Sequence, residues 1–323
     1  MRIIIYGAGG IGGVIGAQLF QGGVETILIA RGEHLRALQD NGLHYRTPHG
    51  DVTLPIPAMG HPGEIDFRAD DVVILTMKSQ HTLGALDDLR AAAGDQIPVF
   101  CCQNGVANER MAARRFQNVH AMMVYLPATA LQPGTVVTHA AATIGVLDAG
   151  VYPTGTGPIV EAVTGALERV NFSARPNPTV MRFKYGKLIM NLANALGAVA
   201  APGEGSKDIR AQLRAEAEAC FKAAGIDYAS QAEEKARRGD LMKSGPVTGQ
   251  ERVAGSSWQS LERGTGNIEA DYLNGEIVLL GRLHDIPTPA NLVLQRLANE
   301  LAASRGEPQS IPLAEIQRRI AES

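Results

Sequence analysis

The 323-residue sequence predicts an α/β fold in two parts, a parallel-sheet domain over residues 1–177 and an all-α domain over residues 178–323. Three observations carry this. Short β-branched runs alternate with helical stretches through the first half, as parallel strands joined by crossover helices do. A cluster of glycines falls between the first such run and the first helix. After Asn171 the texture changes: Asn171-Phe172-Ser173-Ala174-Arg175-Pro176-Asn177-Pro178 is polar and proline-bearing, as a linker is, and most of the chain beyond it has helical period.

Taken in order, residues 3–6, 26–30, 72–76 and 99–102 are short runs rich in Val, Ile or Leu and are predicted as buried strands. Helices are expected between them, at 11–21 and 34–40 among others. The runs at 135–139 and 142–147 are predicted as closing strands of the same domain. Beyond the linker, helices are predicted at 181–196, 207–224, 228–238, 268–284 and 290–304, the last two punctuated by Pro287 and Pro289. The long helices at 268–284 and 290–304 suit either a homodimer interface or the domain core.

Composition excludes several classes. The chain is 45% hydrophobic, enough for a sizeable core, and its net charge of −3 comes from mixed charges that form no basic footprint for nucleic acid. Cys101, Cys102 and Cys220 have neither metal-ligand nor disulfide-framework spacing, and the adjacent pair reads as small buried hydrophobes. The eight histidines offer no metal site. The apolar start Met1-Arg2-Ile3-Ile4-Ile5 runs at once into glycines that a signal helix would not carry, and no stretch of ~20 apolar residues spans a bilayer. A cytoplasmic protein without membrane or nucleic-acid partners is expected.

Gly7-Ala8-Gly9-Gly10-Ile11-Gly12 fits G-x-G-x-x-G and sits between a predicted strand and a predicted helix. The first glycine permits a tight turn, the second lets a pyrophosphate approach the backbone, and the third lets helix pack on strand. The helix N-terminus adds N–H donors and a positive dipole end. The first domain is therefore predicted to be a Rossmann dinucleotide-binding domain. The end of the second strand, where a ribose is read, carries Arg31, whose guanidinium forks onto a 2′-phosphate; NADP is thus favoured over NAD. The alternative is a surface arginine with Glu33 reading the ribose.

In the second domain Lys187, Asn191 and Asn194 fall at i, i+4 and i+7 and share one face of the helix predicted over 183–196. Leu188, Ile189, Leu192, Ala193 and Leu196 make the rest of it apolar. Polar groups buried there need partners, since each unpaired one costs about 1–3 kcal/mol. A substrate with several oxygens would supply them. The bland alternative is a snorkelling lysine with capping or interhelical asparagines.

With these pieces in place, the chain resembles the ketopantoate reductase family along nearly its whole length. The resemblance is carried by the glycine turn, Arg31, Thr76-Met77-Lys78, Gln103-Asn104-Gly105, the helix from Lys187 to Asn194, Ser256-Ser257, and Glu269-Ala270-Asp271-Tyr272-Leu273-Asn274-Gly275. It implies reduction of 2-dehydropantoate to pantoate with NADPH, a step of coenzyme A biosynthesis. By position it implies that Gly7, Ala8, Gly9, Gly10, Ile11, Gly12, Arg31, Lys78 and Asn104 contact NADP, with Ala128 of Leu126-Pro127-Ala128-Thr129 joining them. It makes Lys187 the proton donor, and Asn104, Lys187, Asn191, Asn194 and Ser257 the substrate-binding set. Glu269 is implied near the nicotinamide end, either orienting the ammonium or holding the ribose. A first-turn carboxylate serving the helix dipole would also explain Glu269. Lys78 and Asn104 lie just past strand ends, where open α/β sheets place ligands, although a solvated lysine and an Asn-Gly turn would look alike. Trp258 reads as core packing beside the cleft.

Three features depart from the family pattern. An asparagine expected shortly before the double serine is absent from Val253-Ala254-Gly255, another is absent from Ala201-Pro202-Gly203-Glu204, and the Lys187–Asn194 interval is one residue short. These are substrate-side positions, so NADP-dependent reduction is the firmer expectation and the identity of the oxo acid the looser one. The alternatives are reduction of another branched 2-oxo acid or an imine, or a catalytically silent NADP-binding sensor.

Overall fold

A computed structural model describes residues 1–249 and 255–323. Its N-terminal part runs β1 (Arg2–Tyr6), α1 (Gly10–Gln21), β2 (Thr26–Ile29), α2 (Gly32–Asn41), β3 (Leu43–Thr47), β4 (Gly50–Leu54), β5 (Ala58–Met59) and β6 (Asp71–Leu75). It continues with α3 (Thr82–Ala93), β7 (Val99–Cys101), α4 (Ala107–Ala113), β8 (Val119–Met122), β9 (Ala128–Thr129), β10 (Thr135–Thr138), β11 (Ala149–Val151) and α5 (Pro158–Arg169). The remainder is helical: α6 (Val180–Asn191), α7 (Ala193–Val199), α8 (Ser206–Ala223), α9 (Gln231–Arg238), α10 (Ser256–Glu262), α11 (Asn274–His284), α12 (Pro289–Ala303) and α13 (Leu313–Ala321). The fold is an α/β sheet domain followed by an all-α region, as expected.

The main sheet has the order β11-β8-β7-β6-β1-β2-β5 and is parallel except for β11, which closes it antiparallel to β8. Strand alternation explains why the predicted runs lack any polar face. Ile3, Ile5, Phe100 and Cys102 join one core cluster, while Ile4, Val73, Val99 and Cys101 join the cluster on the opposite side. Both faces are covered, so the runs are apolar apart from Thr26 and Thr76 at their ends. The two adjacent cysteines are accordingly core residues pointing opposite ways.

Two strand expectations need correction. The run at 135–138 belongs to a second sheet of order β4-β3-β10-β9, where Val137 pairs with both Arg46 and Thr129. Residues 142–147 form no strand; Val146 makes only isolated bridges to Tyr125 and Ser173, and the closing strand is β11. Two helix expectations also divide. The helix predicted over 181–196 is interrupted at Leu192 between α6 and α7. The helix predicted over 268–284 is a 3₁₀ turn, Glu269–Tyr272, followed by α11, with Leu273 at φ −109°, ψ −85° between them.

The compact units are discontinuous in sequence. Residues 1–103, 108–183 and 232–249 cluster together, and residues 104–107, 184–231 and 255–323 form the other unit. The excursion of 232–249 has a physical cause. Arg237 forks onto Asp148 with two bonds of 2.6 Å, both side chains being nearly buried. Ala140 bridges to Ser244, and Arg46 donates to the Thr248 carbonyl at 2.8 Å. Among the described residues no helix is long and apolar enough to cross a membrane.

Candidate active site

In the first unit, β1 lies between β2 and β6, so the strand order reverses there and opens a crevice at the strands' carboxyl ends. The glycine turn occupies that point. Gly7 has φ +106°, and a Cβ on it would stand 2.6 Å from the Met77 nitrogen. A Cβ on Gly12 would overlap the Gly7 carbonyl and the Thr76 hydroxyl, which itself donates to that carbonyl at 2.8 Å. Gly10 approaches the Ala128 backbone, where a Cβ would sit at 3.2 Å. Gly9 is different: nothing lies within 4 Å of its would-be Cβ. Gly7 and Gly12 are required by the protein's own packing and Gly10 is closely packed, whereas Gly9 faces open space beside the first turn of α1. That turn carries no acidic residue, and its leading amides have no carbonyl one turn back. These residues fit a dinucleotide pyrophosphate.

His34, which the sequence pattern does not single out, braces the turn. Its Nδ1 accepts from the Gly134 N–H at 2.9 Å, so Nε2 carries the proton and donates to the Ala8 carbonyl at 2.7 Å. Burial lowers its pKa, opposed by the Ala8 carbonyl, which favours the neutral ring this geometry needs.

Arg31 is the exposed N-cap of α2, at the end of β2. It shares its surroundings with two residues that sequence reasoning missed. Burial, then Arg31, then Lys78 lower the pKa of His81. Burial and the charge of Asp88 push the Tyr6 phenol up to about 12, with Arg31 pulling the other way. Arg31 and Lys78 therefore act on the same imidazole.

In the second unit, Lys187 on α6 donates from Nζ to Asn104 Oδ1 at 2.7 Å. Asn191 follows one helical turn later; it is 7% exposed, and among the described residues no group accepts from its Nδ2. Asn194 opens α7, which packs against α10, and its Oδ1 lies 3.7 Å from the position a Cβ on Gly255 would take, at the N-cap of α10. Ser257 is buried in the first turn of α10. Gly105, with φ +76°, comes within 3.0 Å of the Tyr272 carbonyl as measured from its would-be Cβ, which sets the Asn104 turn against the 3₁₀ turn that holds the buried Glu269. Lys187, Asn104, Asn191, Asn194, Ser257 and Glu269 thus all come from one helical unit. The pattern break at Val253-Ala254 lies outside the described residues.

A glycine turn at the switch point of a parallel sheet, coupled in one chain to a helical unit bearing a lysine and amide cluster, defines a dinucleotide-dependent oxidoreductase. Within that class the chain belongs to the ketopantoate reductase family. The family model for ketopantoate reductase PanE/ApbA matches residues 3–151, and the model for the family's C-terminal domain matches residues 179–302. A 2-dehydropantoate 2-reductase of Mesorhizobium japonicum is 27% identical over 95% of this chain and 99% of its own length. One from Pyrococcus horikoshii is 27% identical over 92% and 96%. Among solved structures, a PanE/ApbA family ketopantoate reductase from Ralstonia eutropha matches with TM-score 0.78 and 28% identity, covering 94% of this chain and 99% of that one. A D-mandelate dehydrogenase with NADH and anilino(oxo)acetate matches with TM-score 0.79 at 21% identity over 94% and 99%, a likeness of fold.

Proposed function

We propose that this protein reduces 2-dehydropantoate to pantoate with NADPH in the cytoplasm, Lys187 being the proton donor. When bound, the reduced nicotinamide supplies the hydride. The open face of Gly9 and the amides of Gly10, Ile11 and Gly12 hold the pyrophosphate. Arg31, with Lys78 beside it, takes the 2′-phosphate. As negative charge develops on the substrate's carbonyl oxygen, the Lys187 ammonium stabilises it and then gives up a proton. Asn104 fixes that ammonium through the 2.7 Å bond. Asn191, Asn194 and Ser257 bind the substrate's remaining oxygens, and Glu269 holds the nicotinamide end.

The observation that carries this reading is the Asn191 amide one helical turn from Lys187, buried and, among the described residues, without an acceptor for Nδ2. A substrate carboxylate or hydroxyl supplies that acceptor. The test follows nicotinamide absorbance with NADPH and a panel of 2-oxo acids that includes 2-dehydropantoate, comparing wild type with Lys187→Ala. Turnover of 2-dehydropantoate that vanishes in the variant supports the assignment. Preference for another branched oxo acid would move the substrate and keep the chemistry, an outcome the residues at 201–204 leave room for because none is an asparagine. Tight NADPH binding without turnover on any substrate would make the protein a sensor.

A further inference from the structure

Behind the interruption between α6 and α7 runs a buried relay of side chains that the proposed chemistry does not use. It begins at Glu216 on α8, whose carboxylate accepts from the Ala290 N–H at 2.9 Å, the Asn291 N–H at 3.0 Å and Asn291 Nδ2 at 2.7 Å. Asn291 Nδ2 also donates to the Leu213 carbonyl at 3.3 Å. Asn291 Oδ1 accepts from Asn274 Nδ2 at 3.0 Å, and Asn274 Nδ2 donates in turn to the Leu192 carbonyl at 3.2 Å. Both asparagines are 0% exposed.

The direction of this relay is fixed by its ends. A carboxylate and a backbone carbonyl offer only acceptors, so the amide of Asn291 must turn its nitrogen to Glu216 and its oxygen to Asn274. Asn274 must then present its nitrogen to Leu192. No flipped arrangement satisfies both ends.

Capping the start of α12 explains Glu216 and the two backbone N–H groups, but it does not explain Asn274. Asn274 Oδ1 is buried and, among the described residues, has no donor. Such a half-satisfied amide costs about 1–3 kcal/mol. What Asn274 does contact is the carbonyl of the one residue where the helix is interrupted. Leu192 lies between Asn191 and Asn194, and its own N–H still donates to the Leu188 carbonyl at 3.1 Å. Leu192 keeps helical dihedrals (φ −57°, ψ −32°), and its carbonyl, held from outside, keeps α7 in line with α6.

We propose that Asn274, held by Asn291 and Glu216, is a positioning residue for the reaction: it fixes the Leu192 joint so that Asn191 and Asn194 present their amides on the face that carries Lys187. The proposal rests on the reductase reading above. Asn274→Ala, Asn291→Ala and the double variant test it in the intact protein, by steady-state kinetics with 2-dehydropantoate and by NADPH fluorescence titration. Misplacing substrate groups by about 1 Å costs up to about 100-fold, so each single variant is expected to lower kcat/KM for the oxo acid by about 10- to 100-fold while NADPH affinity stays within about twofold. Because both residues act through one joint, the double variant is expected to be no worse than the poorer single. Either single variant suffices should the other fail to fold. Wild-type kcat/KM in a folded single variant, equal losses in oxo-acid turnover and NADPH affinity, or losses that multiply in the double variant overturn the proposal while the reductase reading stands. A wild-type protein inactive on every 2-oxo acid overturns both.

Discussion

Lys187 and Asn104 are 83 residues apart in the chain, yet Nζ of one lies 2.7 Å from Oδ1 of the other. Asn104 follows β7 by three positions, at the end of a parallel strand, and Lys187 stands mid-way along α6. An amide oxygen facing the ammonium holds it in place. On the proposed reading, that cation meets the charge that develops on a substrate oxygen. Lys187→Ala is therefore expected to lower kcat by about 100- to 1,000-fold, the usual cost of losing one stabilising donor in the transition state. NADPH affinity should be nearly unchanged. Fluorescence titration alongside steady-state kinetics separates the two, and a lost cofactor affinity with intact kcat would count against Lys187 as the donor.

Arg31 caps α2 from an exposed position, within electrostatic reach of His81, as Lys78 is. A guanidinium there discriminates between dinucleotides only through the 2′-phosphate. Arg31→Ala is expected to raise the Kd for NADPH by about 10- to 100-fold, the equivalent of one charge-assisted hydrogen bond of about 1.5–3 kcal/mol. The Kd for NADH should hardly move. Equal weakening of both cofactors would show that Arg31 serves the turn and not the phosphate.

The parts of this architecture that were legible in the sequence are those with local causes. The main-sheet strands are readable because burial on both faces removes most polar positions, as Ile3, Ile4 and Ile5 show by dividing between the two core clusters. The glycine turn is readable because its pattern lies within six residues, although Met77, Thr76 and Ala128 supply the walls that require glycine there. Partners set by distant chain were not legible. The run at 135–138 has the same composition as a main-sheet strand, and only its pairing with β3 and β9 assigns it to the second sheet. The return of 232–249 depends on Arg237 finding Asp148, 89 residues away. The apolar period runs on through Leu273 and Leu192, so neither interruption shows in the pattern; the Asn274 side chain that joins them is visible only in three dimensions. Of the site, Lys187, Asn191 and Asn194 were aligned by helical period alone, whereas His34 gave no local sign of its two backbone partners.

The four glycines of the turn predict opposite outcomes for one and the same substitution. Gly7→Ala forces a side chain into φ +106° and within 2.6 Å of the Met77 nitrogen, so the variant should unfold more readily, with a clearly lower Tm. Gly9→Ala meets nothing within 4 Å and should keep a wild-type Tm. Its methyl nonetheless occupies the face offered to the pyrophosphate, so NADPH affinity should fall by about 10-fold or more, as expected where the backbone must approach the ligand closely. Thermal melts with and without NADPH distinguish the two. A Gly9→Ala protein that binds NADPH normally would place the phosphates elsewhere.

His120 gives a pH dependence whose sign can be worked out. Its ring stacks on Phe100 with centroids 4.4 Å apart and is 5% exposed, and among the described residues no group pairs with Nδ1. Burial pushes its pKa down to about 4 from an ordinary 6.5. Between those values the unfolded chain takes up a proton that the folded protein refuses, so unfolding becomes easier as the pH falls. The stability lost between about pH 6.5 and 4 is of the order of 3 kcal/mol, since each unit of difference is worth about 1.4 kcal/mol. Below that range no further loss comes from this group. His34 and His81 also have lowered values and act in the same direction, so wild type alone does not isolate the effect. His120→Gln removes the titration and is expected to flatten the fall in urea midpoint across this window while starting from a lower value at neutral pH. Parallel curves for wild type and variant would mean that the ring is solvated or protonated in the folded protein, contrary to its stacking on Phe100.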